Sequence, residues 1–294
     1  MKTLIVVLNV TVLLFVLGCS KSSTAPEDDP TPALVITGIV DNVSVGMGTD
    51  GAIDITVSNG TAPYSFVWSN GAETEDITGV EAGEYTVTVT DDEGLTSEKT
   101  FTVTEPSTGS FADIDGNTYA AVKIGGRWWM AENFKGSHDK DNAAVTSYAY
   151  GDNTANVTTY GRLYEYDAAV AGAPNGWHLP TDAEVKQLEM TLGMSQSQAD
   201  TDDAFRGTDQ GTQLKVGGGS GFNAKIAGWW SPNSGSYMGI DGSGSNEGTG
   251  FWTSTTTGSN AWTRTIFKSG ANAAKVGRYP DAKTYRLSVR YIKD

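Results

Sequence analysis

Apolar and polar residues alternate with a period of two in three short runs within the first third of the chain. These are Ile53-Asp54-Ile55-Thr56-Val57, Ser65 to Trp68, and Tyr85-Thr86-Val87-Thr88-Val89-Thr90. Alternation of this kind predicts strands with one face on a core and the other in water. Asn59-Gly60, Asn70-Gly71, Ala82-Gly83 and Glu93-Gly94 punctuate them, and glycine supplies the positive φ that tight turns require. Strands so spaced between Leu34 and Pro106 predict a small all-β, immunoglobulin-like sandwich. No Cys-Trp-Cys pattern is present, so Trp68 is expected to fill the core with no disulfide beneath it.

After a short linker at 107–110 the pattern changes. Thr118 to Ile124 and Arg127 to Met130 read as strands joined by the Gly125-Gly126 turn, and a helix is predicted from Arg162 to Val170. Thr181 and Glu184 form a capping-box pattern. Val185, Leu188 and Leu192 then recur at helical spacing, and Gly193 supplies the stop. A stretch of low hydrophobicity runs from Gly193 to Gly221. Strands are predicted at Phe222 to Trp230, Gly250 to Ser254, Ala261 to Phe267 and Tyr285 to Ile292, with polar Gly/Ser/Asn loops between Ser231 and Gly250. Few helices among many strands make residues 111–294 an α+β domain.

The amino terminus reads as a leader. Lys2 precedes an apolar run from Leu4 to Leu17, shorter than the roughly 20 residues of a membrane span. The chain's single cysteine, Cys19, excludes an intramolecular disulfide, and Leu17-Gly18-Cys19-Ser20 resembles a bacterial lipobox. That resemblance implies removal of residues 1–18 and acylation of Cys19, so the membrane is a partner through this lipid anchor. Residues 19–33, with Pro26, Pro30, Pro32 and the acidic Glu27-Asp28-Asp29, read as a tether. The acids resemble surface-export signals of Bacteroidetes-type lipoproteins, which implies a lipid-anchored, surface-exposed position at the outer membrane. The formal net charge of −15 would repel phosphates and argues against a nucleic-acid partner.

Two stretches resemble known families. Gly60 to Gly71 and Ala82 to Asp91 resemble the SprB repeat of bacterial surface adhesins, which implies a cell-surface spacer or adhesive module. Asp115 to Tyr119, Val122 to Asn133, Tyr160 to Tyr164, Gly176 to Glu184, Phe251 to Thr255 and Ser288 to Asp294 resemble the Fibrobacter succinogenes major paralogous domain. More distantly, Gly176-Trp177-His178-Leu179-Pro180-Thr181-Asp182-Ala183-Glu184 is similar to a motif of formylglycine-generating and sulfatase-modifying proteins, implying a C-type lectin-like fold. Members of the major domain usually carry two cysteines where this chain has Ala173 and Tyr291. The resemblance therefore implies a missing bridge whose contribution packing must replace.

Little in the chain points to catalysis. The oxidation performed by formylglycine-generating enzymes needs cysteines, and residues 111–294 have none. The two histidines, His138 and His178, lie in no zinc-binding spacing, so no metal site and no cofactor is assigned. Gly242-Ser243-Gly244-Ser245 lacks the strand–turn–helix setting of a nucleophilic serine. Binding is the favoured function. Of eight tryptophans, Trp128, Trp129, Trp177 and Trp252 lie in the family motifs and are assigned to the core. Trp230, Asn233, Tyr237, Asp241, Asn246 and Glu247 lie in or beside the polar loops and form the candidate site for a glycan or a surface protein. The alternatives are a structural envelope component without a dedicated ligand and an unidentified polysaccharide hydrolase.

Overall fold

The computed structural model describes residues 33–244 and 246–294. The leader, the acylation site at Cys19 and nearly all of the tether lie outside the described residues.

The first domain is built from β1 (Val35–Asp41), β2 (Gly51–Ser58), β3 (Ser65–Trp68), β4 (Ile77–Val80), β5 (Gly83–Thr90) and β6 (Thr96–Val103). Two three-stranded sheets, ordered β1-β2-β4 and β3-β5-β6, share one core. The alternation read from the sequence sets the faces: Ile53 and Ile55 of β2 and Val87 and Val89 of β5 point inward, while Asp54 and Thr56 are exposed. Each such aliphatic side chain contributes about 1.5–3 kcal/mol on full burial. Trp68 is buried among them, and its indole N–H donates to the Thr74 carbonyl at 2.9 Å. The Asp91 carboxylate accepts from the backbone N–H groups of Thr61, Glu93 and Leu95. It organises the turn after β5.

The second domain runs through β7 (Thr108–Ala112), β8 (Thr118–Ile124), β9 (Arg127–Met130), α1 (Ala155–Tyr160), α2 (Tyr166–Ala171), β10 (Trp177–His178), α3 (Asp182–Thr191), α4 (Gln196–Asp200), β11 (Ala204–Arg206) and α5 (Gln210–Leu214). It finishes with β12 (Ala227–Ser231), β13 (Ser236–Ile240), β14 (Gly248–Thr257), β15 (Asn260–Phe267), β16 (Val276–Ala282) and β17 (Ile292–Lys293). These strands form a five-stranded sheet, β10-β17-β9-β8-β7, and a six-stranded sheet, β11-β16-β15-β14-β12-β13. Trp128, Trp129, Trp177 and Trp252 are all buried in the two cores of this domain.

Local departures from the sequence reading have physical causes. Thr108 to Ser110 are strand, not linker, because β7 pairs with Ala120 to Val122 of β8. The helix expected from Arg162 begins only at Tyr166, since buried Leu163 and Tyr164 are bridged to Tyr148 and Leu287. β16 was hidden by Pro280, which cannot donate to a ladder. Its place in the fold removes that need: β11 pairs only with Val276 to Arg278, so at Pro280 the strand has become an edge.

α3 carries the capping box. Thr181 Oγ1 accepts from the Glu184 N–H at 3.2 Å, and Glu184 Oε2 accepts from the Thr181 N–H at 2.8 Å. Thr181→Ala is expected to cost about 0.5–2 kcal/mol, read as a lower urea midpoint with no change in slope. Glu184 also meets His178 at 3.1 Å and Arg127 at 3.3 Å, while the other nitrogen of His178 meets Asp294 at 2.6 Å. His178 is thus held as a cross-link between β10, α3 and the carboxyl-terminal strand. At the two positions where the resemblance led a bridge to be expected, fully buried Tyr291 donates to the Ala169 carbonyl at 2.8 Å, and Ala173 packs against the same core. A tyrosine hydrogen bond ties the two segments that the disulfide would join.

The two domains are docked through Glu105. Its carboxylate accepts from the Met47 N–H at 2.6 Å, Lys123 Nζ at 3.0 Å and the Trp128 indole N–H at 3.1 Å. Burial alone would raise the Glu105 carboxyl, but these donors hold it below the usual range. Gly46 bridges to Gly109 alongside, and any Cβ at Gly46 would lie 2.4 Å from the Trp128 ring. Charge-assisted bonds contribute about 1.5–3 kcal/mol each. Glu105→Gln is therefore expected to loosen the junction, giving faster proteolysis between 104 and 108 while each domain keeps its far-ultraviolet circular dichroism.

Candidate functional site

The β12–β13 hairpin carries three of the six sequence-predicted site residues. Its turn, Pro232 to Gly235, closes through the Gly235 N–H on the Ser231 carbonyl at 2.9 Å, and Gly235 adopts the positive φ that the turn needs. Trp230 stands directly across from Tyr237 in this hairpin, and both are half-buried. Asn233 is exposed at the tip and donates to the Tyr285 hydroxyl at 3.0 Å.

Residues from distant parts of the chain complete the face. The main chain of Trp230 exchanges hydrogen bonds with that of Arg286, at 3.0 and 3.2 Å. This pairing sets the Arg286 guanidinium over two rings, 3.5 Å from the centroid of Tyr148 and 4.2 Å from that of Trp230. Glu165 Oε1 lies 3.4 Å from Arg286 Nε. The Tyr150 and Tyr237 rings meet at 5.1 Å, and the Tyr237 hydroxyl donates to Asp152 Oδ1 at 2.6 Å. Burial, then that hydrogen bond to Asp152, raises the Tyr237 hydroxyl, which stays protonated. Gly228 makes the approach possible: with φ +65°, its missing Cβ would sit 2.5 Å from Tyr150 Cε2.

Asp241 and Glu247 do not join this cluster. Both grip Lys268 Nζ at 2.6 Å, and Glu247 Oε1 also accepts from the N–H groups of Gly242 and Gly244. The Lys268 hydrogen bond depresses the Glu247 carboxyl, and the hydrogen bonds to Asp241 and then Glu247 raise Lys268. Asp241 lies four residues beyond Tyr237, about 13 Å along an extended strand. Asn246 is exposed in the same far loop with φ +49°. These three residues shape a turn. Among the described residues, no group of three or more His, Cys, Asp or Glu side chains is placed to hold a metal ion.

Tyr148, Tyr150, Asp152, Glu165, Tyr285 and Arg286 were missed from sequence because they are far from the hairpin along the chain. The one local signal was the density of tyrosine, with Tyr148 and Tyr150 two residues apart and Tyr285 beside Arg286.

The family comparisons point to a surface-associated protein. The chain belongs to the Fibrobacter succinogenes major domain family, whose model matches residues 122–293. Residues 37–73 match the SprB repeat. Comparison with curated proteins and with solved structures gave no match. No helix among the described residues is long and apolar enough to cross a membrane.

Proposed function

We propose that this is a lipid-anchored outer-membrane protein that displays a ligand-recognition head on the cell surface. Acylated Cys19 holds it to the membrane, the SprB-like domain is the spacer, and the major domain, read as a C-type lectin-like variant, binds a glycan or a surface protein without chemistry. The observation that carries the reading is the half-exposed aromatic face around Arg286, with Trp230 and Tyr237 fixed across from each other on the β12–β13 hairpin. Amphipathic rings with fixed polar neighbours supply contact area at small entropic cost. The anchor is tested by labelling cells with a radioactive fatty acid: label should follow the chain and vanish in Cys19→Ala. Recognition is tested by binding of the mature chain to polysaccharide and protein fractions of cell surfaces. No binding to any fraction would leave the structural-component reading, which the Glu105 junction favours because it makes the two domains one stiff spacer.

A further inference from the structure

We propose that the ligand of the Arg286 face is an uncharged polysaccharide, gripped between the tyrosine and tryptophan rings and the carboxylates of Asp152 and Glu165. The inference rests on the recognition reading above and commits it to one ligand class.

Charge points away from acidic ligands. Arg286 is already engaged, stacked against Tyr148 and Trp230 and facing Glu165. Of the charged groups in contact with these rings, two are carboxylates, Asp152 and Glu165, and one is the Arg286 guanidinium, within a chain of formal charge −15. A uronate or sulfated sugar would meet repulsion here. Tyr, Trp and Arg also occur at the centres of protein interfaces, but Asp and Glu are depleted there, and this face carries both Asp152 and Glu165. None of the large aliphatic side chains that stand exposed among the described residues belongs to this face.

Hydroxyl groups fit what remains. Asp152 uses Oδ1 to hold Tyr237, and Glu165 uses Oε1 towards Arg286 and the Tyr148 hydroxyl. Asp152 Oδ2 and Glu165 Oε2 receive no hydrogen bond from a described residue, so each is an acceptor for a sugar O–H. Hydrogen bonds from neutral hydroxyls to carboxylates are the stronger, charge-assisted kind. The adjacent rings offer apolar faces to the C–H side of a pyranose, and the prior tethering of the tyrosines lowers the ordering cost.

The test is affinity electrophoresis of the mature chain in gels containing neutral polymers (β-glucan, xylan, mannan) or uronate polymers (polygalacturonate, alginate). At least one neutral polymer should retard the protein and no uronate should. Tyr148→Ala and Asp152→Asn should each weaken retardation tenfold or more with unchanged circular dichroism, while Ile39→Thr on exposed β1 should not. Retardation by uronates alone would overturn the ligand class and leave the recognition reading standing. Neutral-polymer retardation that survives both substitutions would put the site elsewhere. Loss of a protein ligand, rather than of a polymer, in these variants would also overturn the class. If no polymer and no surface protein binds at all, both readings fall together.

Discussion

Glu189→Leu should unfold the major domain under conditions where the parent chain is stable. Glu189 is wholly buried, and it receives Arg206 through two bonds, at 3.0 and 2.8 Å, and Arg264 Nε at 2.9 Å. Asp182, on the same helix, takes Arg278 through two bonds and Arg264 through a third. Three buried guanidiniums thus share two carboxylates. Removing one acid leaves cations in the core without a counter-charge, a loss of about 3–5 kcal/mol against a typical total stability of about 5–15 kcal/mol. Calorimetry should show the transition of this domain strongly lowered, with that of the sandwich nearly in place; a change under about 1 kcal/mol would refute the assignment.

The network also sets the acid limit. Burial alone would raise the Asp182 carboxyl, but the Arg278 and Arg264 guanidiniums overcome that and hold it at about 2. The ordinary carboxylate value is 3.8, so as pH falls the unfolded chain takes up this proton first. The contribution of Asp182 is complete above about pH 4 and is lost as pH falls through about 2. Acid titration of the thermal midpoint should decline over that window, and less steeply in Asp182→Asn.

Arg290→Lys should be nearly as damaging, although charge is kept. The Arg290 guanidinium is fully buried, pairs with no carboxylate among the described residues, and donates to Asn133 Oδ1 and the carbonyls of Met130, Phe222 and Asn223, at 2.6 to 2.9 Å. It also stacks over Phe222 at 4.7 Å. An ammonium group has three donors at one point and cannot serve four oxygens spread around a planar fork. Each orphaned buried acceptor costs about 1–3 kcal/mol. Chemical denaturation is the measurement, and a variant within about 1 kcal/mol of the parent would show that lysine can reach the same oxygens.

These two cases explain what could be read from the sequence. Period-two alternation located β3 at its observed bounds, because one buried face imposes it directly on the residues, and the Gly125-Gly126 turn between two apolar runs located β8 and β9. The capping box at Thr181 was legible because both partners sit within one turn. Asp182, Glu189 and Arg290 were not legible as a charged core. The partners in their arginine contacts lie 17 to 160 positions away, and nothing local distinguishes a buried arginine from a solvated one. The candidate site divides in the same way. Trp230, Asn233 and Tyr237 were within reach because a single hairpin carries them. Arg286 joins them only through the pairing of Trp230 with the end of the chain, and Asp241 and Glu247 left the site because Lys268 is close enough to grip both.

The central claim is that the family motifs build the scaffold and the Arg286 face does the recognising. Side-by-side measurement of affinity and thermal midpoint in Tyr148→Ala and Thr181→Ala tests it most directly, using the polysaccharide that binds the parent chain. The account predicts that Tyr148→Ala loses at least tenfold in affinity at an unchanged midpoint, while Thr181→Ala lowers the midpoint and binds normally below it. The reverse pattern, with affinity lost in folded Thr181→Ala and kept in Tyr148→Ala, would contradict it.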